Sequence, residues 1–191
     1  MKVGVLALQG DVREHCNVLA GMGIDPIEVR RADELSDVDG LVMPGGESTT
    51  ISKLLVRFGL QEPLGDRVAA GMPLFGTCAG LILMASEVVD AGDRATPESL
   101  LGVLDISVRR NAYGSQVQSF EVSLNVPGLD TPVEAAFIRA PSIERVGDDV
   151  EVLATCDGRP VLVRQGRLMG ATFHPEISGD PRVHEIFVES I

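Results

Sequence analysis

The stretch Met72–Ala85 reads MPLFGTCAGLILMA, and it places a cysteine where a nucleophile could work. An apolar run through Leu74 and Phe75 ends at Gly76, and a second apolar run begins after Gly80. The two glycines stand two residues before and two after Cys78, the spacing of the strand–nucleophile–helix elbow. Such an elbow needs small residues, because its backbone is strained and its two arms pass close together. A helix starting directly behind Cys78 would aim its positive end at the sulfur and favour thiolate. A small buried cysteine between a core strand and a core helix is the plainer alternative. The catalytic reading therefore requires a base elsewhere in the chain.

Phe173-His174-Pro175-Glu176 offers that base. In extended backbone His174 and Glu176, at i and i+2, share one face. Pro175 restricts its own φ and biases His174 toward extended geometry. An imidazole with a carboxylate beside it is what a thiol nucleophile uses as base and orienter. The other two histidines, His15 and His184, fall inside the first and last helical segments and are expected to be solvated.

A third element of interest is Pro44-Gly45-Gly46-Glu47-Ser48-Thr49-Thr50. Adjacent glycines after a strand let backbone N–H groups face a ligand, and Ser48 or Thr49 can cap the helix that follows. The lysine and the longer glycine spacing of a phosphate loop are absent.

The elements that must position these groups follow in order. Lys2–Leu8 is a near-continuous apolar run, the mark of a buried parallel strand. Asp11 is placed to cap a helix over Val12–Met22. Short strands are expected at Asp25–Arg30 and Gly40–Met43, separated by an acidic connection, then helices at Ile51–Phe58 and Gln61–Ala70. Strands ending in Gly-rich turns before helices indicate an open α/β sheet, whose ligand sites gather at the carboxyl ends of the strands. Val89–Ser99 is polar and reads as a surface loop. From Gly102 onward the chain is strand-heavy, with runs at Val103–Arg109, Val117–Val126, Glu134–Arg139, Val150–Thr155, Pro160–Gln165 and Leu168–Phe173. Asp157-Gly158 marks a hairpin, and Val183–Ser190 a closing helix.

Composition narrows the function. With 191 residues, 45% hydrophobic and 23% charged, the chain has the balance of an ordinary globular protein built around one sizeable core. A formal charge of −12 argues against a nucleic-acid partner, which requires a basic face. No apolar run reaches bilayer length, and the N-terminus lacks a signal-cleavage pattern, so the chain reads as cytoplasmic. Cys16, Cys78 and Cys156 are too scattered for a disulfide framework or a metal knuckle, and no metal or cofactor is expected.

With GTCAG at 76–80 and HPE at 174–176, the chain resembles the triad (class I) glutamine amidotransferases. LQGDVREH (Leu8–His15), PGGESTT (Pro44–Thr50), RRNAYG (Arg109–Gly114), FIRAP (Phe137–Pro141) and FHPE (Phe173–Glu176) together resemble the glutaminase subunits of pyridoxal 5′-phosphate synthase. The resemblance implies one flavodoxin-like three-layer α/β/α domain over residues 1–191, with a mostly parallel mixed sheet, hydrolysing L-glutamine to glutamate and ammonia. It makes Cys78 the nucleophile, His174 the base and acid, and Glu176 its orienter. It assigns the oxyanion hole to the N–H groups of Gly46 and Ala79, and substrate contacts to Gly46, Glu47, Ser48, Arg110, Ile138 and Arg139. The implied partner is a synthase subunit with a dodecameric core, carrying up to one glutaminase per synthase subunit. That partner takes the ammonia and builds pyridoxal 5′-phosphate from ribose 5-phosphate and glyceraldehyde 3-phosphate. The Gln9-Gly10 turn would lie at that interface. Two departures stand out: Ser115 replaces an expected basic residue, and the expected closing helix would run past Ile191. Rival readings are a γ-glutamyl hydrolase or DJ-1/PfpI-like hydrolase on the same fold, or a non-catalytic regulatory subunit. The HPE pair argues against the DJ-1/PfpI-like group, and an intact Cys-His-Glu set argues against the non-catalytic subunit.

Overall fold

The computed structural model describes residues 1–89, 100–110 and 119–191. Its first strand, β1 (Val3–Leu6), is buried along its whole length and leads into helix α1 (Val12–Gly21). Strand β2 (Ile27–Val29), helix α2 (Ala32–Ser36) and strand β3 (Gly40–Met43) follow. Helix α2 occupies the acidic connection between β2 and β3. Glu34 holds its start by accepting from the N–H groups of Arg30 at 2.7 Å and Arg31 at 3.0 Å, and Leu35 is buried beneath it. Helices α3 (Ser48–Arg57) and α4 (Gln61–Ala69) precede strand β4 (Leu74–Thr77) and the short helix α5 (Ala79–Met84).

The second half is strand-heavy, as its composition implies. Strands β5 (Ala85–Val89) and β6 (Leu104–Arg109) are followed by β7 (Phe120–Leu124), β8 (Val133–Phe137) and β9 (Ser142–Val146). Then come β10 (Glu151–Cys156), β11 (Arg159–Gln165), β12 (Leu168–Ala171) and helix α6 (Arg182–Val188). Strands β5 and β9 were not foreseen: each is half-exposed and gains its partners only from distant chain. Asp157 and Gly158 turn the β10–β11 hairpin with φ of 50° and 74°, the paired left-handed geometry that suits a two-residue loop. Most of the expected Val89–Ser99 loop and the Asn111–Ser115 segment lie outside the described residues.

Seven strands form the main sheet in the order β10-β11-β12-β4-β3-β1-β2. Pairing is parallel from β12 through to β2 and antiparallel among β10, β11 and β12, which is a mostly parallel mixed sheet. Alternate residues of each strand feed opposite faces. Leu41, Met43 and Leu74 pack with α2, α3, α4 and α5 and with the β5-β6-β9 sheet. Val3, Val5, Val42 and Phe75 pack with α1, α6 and the β7-β8 hairpin. With both faces covered, polar chemistry is left to the strand ends. The carboxyl ends of β1, β3, β4 and β12 lie side by side, so Gln9–Asp11, Pro44–Glu47, Cys78 and Thr172–Glu176 share one edge.

One close approach at that edge is between Gly80 and β3. A Cβ on residue 80 would sit 2.1 Å from the main-chain oxygen of Met43, an atom that cannot swing aside. Gly80→Ala is expected to lower the unfolding free energy by about 3 kcal/mol, the upper end of overpacking costs. The control is Gly21→Ala in α1, where nothing lies within 4 Å of the added carbon. Urea denaturation should find the control at or slightly above wild type. Equal midpoints for Gly80→Ala and wild type would show that the elbow has room to relax.

Candidate active site

Cys78 sits between β4 and α5 with φ 47° and ψ −100°, a conformation that costs a non-glycine residue about 1–3 kcal/mol. Its N–H donates to Ala171 O at 2.8 Å and its carbonyl accepts from Ile82 N at 3.2 Å, so both neighbours hold the strained residue in place. The flanking glycines make the turn possible: a Cβ at Gly76 would meet Met84 Sδ at 2.6 Å and Gly80 C at 2.7 Å. The elbow expected from GTCAG is present.

His174 reaches the site by a different route from the one expected. Strand β12 ends at Ala171, and the HPE segment is a turn, with Ile177 N donating to His174 O at 3.3 Å. His174 is tied instead to β8, its N–H donating to Ala136 O at 2.8 Å. The turn still brings the side chains together: His174 Nδ1 lies 2.7 Å from Glu176 Oε1. Both are buried. Burial works against a charged imidazole here, but Asp11, Cys78 and Glu176 outweigh it and push the His174 pKa up to about 12. Burial raises the Glu176 carboxyl, and its bond to His174 pulls the other way. Among the described residues His174 Nε2 has no hydrogen-bond partner. With Nδ1 given to carboxylates, Nε2 is the ring nitrogen left uncommitted.

Three contributors were missed or misread in the sequence. Asp11 stands at the start of α1, but its side chain caps nothing. Its Oδ2 lies 3.4 Å from His174 Nδ1. His15 and His184 are not solvated, as expected, but fully buried at 0% exposure. They contact each other, His15 Nδ1 to His184 Nε2 at 2.9 Å, and His15 Nε2 also lies 3.1 Å from Thr77 Oγ1 and 3.4 Å from Glu176 Oε2. The missed signal is helical spacing. His15 shares a face with buried Leu19, and His184 with buried Phe187.

The Gly-rich loop closes the front of the site. Gly45 lies so close to His174 that a Cβ there would be 2.4 Å from Cε1. Gly46 has φ 152°, and Gln9 Oε1 accepts from the next N–H, that of Glu47, at 2.8 Å. The α3 cap is neither Ser48 nor Thr49. Glu47 takes that place, accepting from Thr49 N at 3.0 Å, Thr50 N at 2.7 Å and Thr50 Oγ1 at 2.7 Å. A carboxylate reaches two exposed N–H groups and meets the positive helix end, which also draws the helix start back from Ile51 to Ser48. Arg110 NH2 approaches this loop, 3.4 Å from Thr49 Oγ1 and 3.7 Å from Glu47 Oε1. Ile138 and Arg139 are exposed just beyond β8, the strand that anchors His174. Ala79 opens α5 and is buried. Asp11, His174 and Glu176 cluster closely enough to be tested as a cation site, their ligand atoms lying within 4.8 Å of one another. The mutual bonds of Nδ1 and Oε1 already occupy them, and they are not assigned as ligands.

A cysteine on a strained elbow, an imidazole and a buried carboxylate at one edge of an open α/β sheet are the equipment of a cysteine hydrolase. Comparison with known proteins narrows the class. Residues 5–191 match the SNO glutamine amidotransferase family, and the chain belongs to that family. It is 57% identical over 190 residues to "Pyridoxal 5'-phosphate synthase subunit PdxT" of Mycolicibacterium vanbaalenii, covering 100% of this chain and 97% of the relative. The protein of the same name from Parafrankia sp. is 59% identical over 191 residues, covering 100% of this chain and 93% of the relative. A solved structure described as a glutamine amidotransferase superposes with a TM-score of 0.91 at 49% identity, covering 98% of this chain and 97% of its own. The three-layer, flavodoxin-like architecture expected from sequence therefore holds.

The buried histidines predict acid sensitivity. Burial lowers the His184 pKa from 6.5 to about 4, and lowers His15 well below its ordinary value, aided by repulsion from His184 and His174. Between those limits the unfolded chain binds a proton that folded His184 refuses, so stability falls as pH falls from 6.5 toward 4. At about 1.4 kcal/mol per unit, His184 alone contributes a loss of roughly 3 kcal/mol across the window. Chemical denaturation at pH values above and below it should find His184→Gln less pH-dependent than wild type. An equal slope in both proteins would count against a neutral, buried His184.

Proposed function

We propose that this chain is a glutaminase subunit of pyridoxal 5′-phosphate synthase, residues 1–191 forming one catalytic domain. The observation that carries the mechanism is the buried 2.7 Å contact between His174 Nδ1 and Glu176 Oε1, which leaves His174 Nε2 for the thiol at the elbow. Cys78 Sγ attacks the side-chain carboxamide carbon of L-glutamine, and its proton passes to His174. The tetrahedral oxyanion is held by the N–H groups of Gly46 and Ala79. His174 returns the proton to the departing nitrogen, releasing ammonia and a glutamyl thioester on Cys78. Water, deprotonated by His174, then cleaves the thioester to glutamate. Glu176 orients the imidazole and stabilises its charged form.

Gly46, Glu47, Ser48, Arg110, Ile138 and Arg139 contact the substrate. The Glu47 carboxylate already caps α3 and its N–H is held by Gln9, which fixes the loop that faces the substrate. The ammonia passes to a synthase subunit of a dodecameric core, with up to one glutaminase per synthase subunit. The partner uses it with ribose 5-phosphate and glyceraldehyde 3-phosphate. The setting is the cytoplasm; among the described residues no helix is long and apolar enough to cross a membrane.

An open cleft of about 540 Å³ runs from Ala7 to Glu14 and on to Glu28 and Arg30, beside the Gln9-Gly10 turn. The Gln9 bond to Glu47 N–H links that cleft to the Gly46–Glu47 peptide, next to the Gly46 N–H proposed as oxyanion donor. Docking there fixes the peptide, so glutamine hydrolysis should be slow alone and faster with the partner. Losing one such donor costs roughly 3–4 kcal/mol, or about 10²–10³ in rate. Steady-state assays with and without excess synthase test this coupling, and equal kcat in both would refute it.

Cys78→Ala should abolish hydrolysis while leaving partner binding intact, and a glutamine-like electrophile should label Cys78 alone. Burial raises the thiols of Cys16 and Cys156, which makes them poor competitors. Peptide mapping that finds label on either, with Cys78 untouched, overturns the assignment. Glu176→Gln should slow turnover less than His174→Ala, because it removes the orienter and not the base.

A further inference from the structure

The buried histidines behind the triad have no step in this mechanism, yet one of them touches the triad carboxylate. Glu176 Oε1 is bonded to His174, while Oε2 has no hydrogen-bond partner among the described residues and lies 3.4 Å from His15 Nε2. The same His15 nitrogen is 3.1 Å from Thr77 Oγ1, on the residue preceding the nucleophile. His15 Nδ1 is 2.9 Å from His184 Nε2, and His184 Nδ1 has no partner among the described residues.

Those contacts select a tautomer. Between His15 Nδ1 and His184 Nε2, one nitrogen must carry a hydrogen and the other must not. If His15 Nδ1 donates, its Nε2 lone pair faces the Glu176 carboxylate, and His184 is left with a buried N–H that has no acceptor. Two groups are then unsatisfied, one of them an anion's oxygen. If His184 Nε2 donates, His15 carries its hydrogen on Nε2, between Thr77 Oγ1 and Glu176 Oε2. The bare Nδ1 of His184 then lacks a partner, while Glu176 Oε2, 3.4 Å away, faces an N–H in place of a lone pair. Buried donors without acceptors are the rarer and costlier defect. A doubly protonated His15 would satisfy both neighbours, but it would place a second cation in a fully buried pocket beside His174, and burial keeps His15 neutral.

We propose that His15 is a positioning residue for the triad: His184 holds it as the Nε2–H tautomer, and it donates toward Glu176 Oε2 to set the carboxylate against His174. The arrangement spans three elements, with His15 from α1, Thr77 from the end of β4 and His184 from α6. It explains how a carboxylate with one free oxygen remains an acceptor for His174 in a pocket closed to solvent. The inference rests on the triad reading above. Its first test, however, requires no turnover.

The chain has three histidines, so the imidazole spectrum of the wild-type protein is simple. Long-range proton–nitrogen correlation on histidine-labelled protein, assigned with His15→Gln and His184→Gln, reads each ring directly. The expected result is a neutral Nε2–H ring at both His15 and His184 near neutral pH. An Nδ1–H ring or an imidazolium at His15 overturns the proposal. The second test uses the glutaminase bound to its synthase partner. His15→Leu should lower kcat by about tenfold to a hundredfold, the value of a donor to a buried charged group, with KM little changed. Without the donor, Glu176 is easier to protonate, so the acid limb of the rate profile moves to higher pH. The titratable groups facing Glu176 are His174, Asp11 at the start of α1 and His15 of α1, with His184 of α6 behind His15. His15→Gln retains an N–H and should recover most of the rate. Equal losses in both variants with an unmoved acid limb would make His15 merely structural. If His15→Leu does not fold, the ring spectra decide alone. Should wild-type protein not hydrolyse glutamine at all, the triad reading fails while the tautomers are still measured.

Discussion

A main-chain oxygen, that of Met43, stands where residue 80 would otherwise carry a side chain. The site depends on that close pass. It lets the first turn of α5 lie against the end of β3, so the Gly45-Gly46 loop and Cys78 follow neighbouring strands at one sheet edge. Gly10 repeats the device one strand over, where a Cβ would be 1.7 Å from Gly45 O. Three loops are thus stacked backbone on backbone, a spacing closed to any residue with a side chain. The strain at Cys78 persists because its N–H and C=O are both held by neighbours that the packing fixes.

The second organising feature is electrostatic. A single buried carboxylate, Glu176, is bordered by His174 on one side and His15 on the other, 2.7 and 3.4 Å away. Asp11, half exposed, adds a second carboxylate to His174. Two carboxylates on one ring favour its charged form, and the pocket resists it. The balance leaves His174 strongly basic, while His15 and His184, with no comparable anionic support of their own, are driven neutral. One buried pocket therefore holds imidazoles of opposite tendency, separated by which oxygen each one faces.

Much of this was legible in the chain. GTCAG located the elbow, because only small residues at i−2 and i+2 fit so tight a turn. HPE located a contacting His174–Glu176 pair, although by a turn and not the extended strand that the i, i+2 argument assumed. The Gly-rich loop was legible as donor-rich backbone, but not its cap: that Glu47 outcompetes Ser48 follows from reach, which composition alone does not give. His15 and His184 were misread because a histidine in an amphipathic helix says nothing by itself about its face. Their partners are 169 residues apart in sequence. Strands β5 and β9 were hidden for a related reason, since a half-buried strand takes its definition from the neighbour it pairs with.

Helix α1 draws these features together. Asp11 and His15 are four residues apart, one turn of the helix, and so project from the same side. Asp11 meets His174 and His15 meets Glu176, each at 3.4 Å, so a single element touches both members of the pair. Just before it, Gln9 holds the Glu47 N–H. A force applied to the start of α1 in the adjoining cleft is therefore felt at the loop, at His174 and at Glu176 together. A loop contact could adjust only the first of these. The helix transmits to all three because its hydrogen-bonded turn, His15 N to Asp11 O at 3.2 Å, keeps the two side chains in fixed relation.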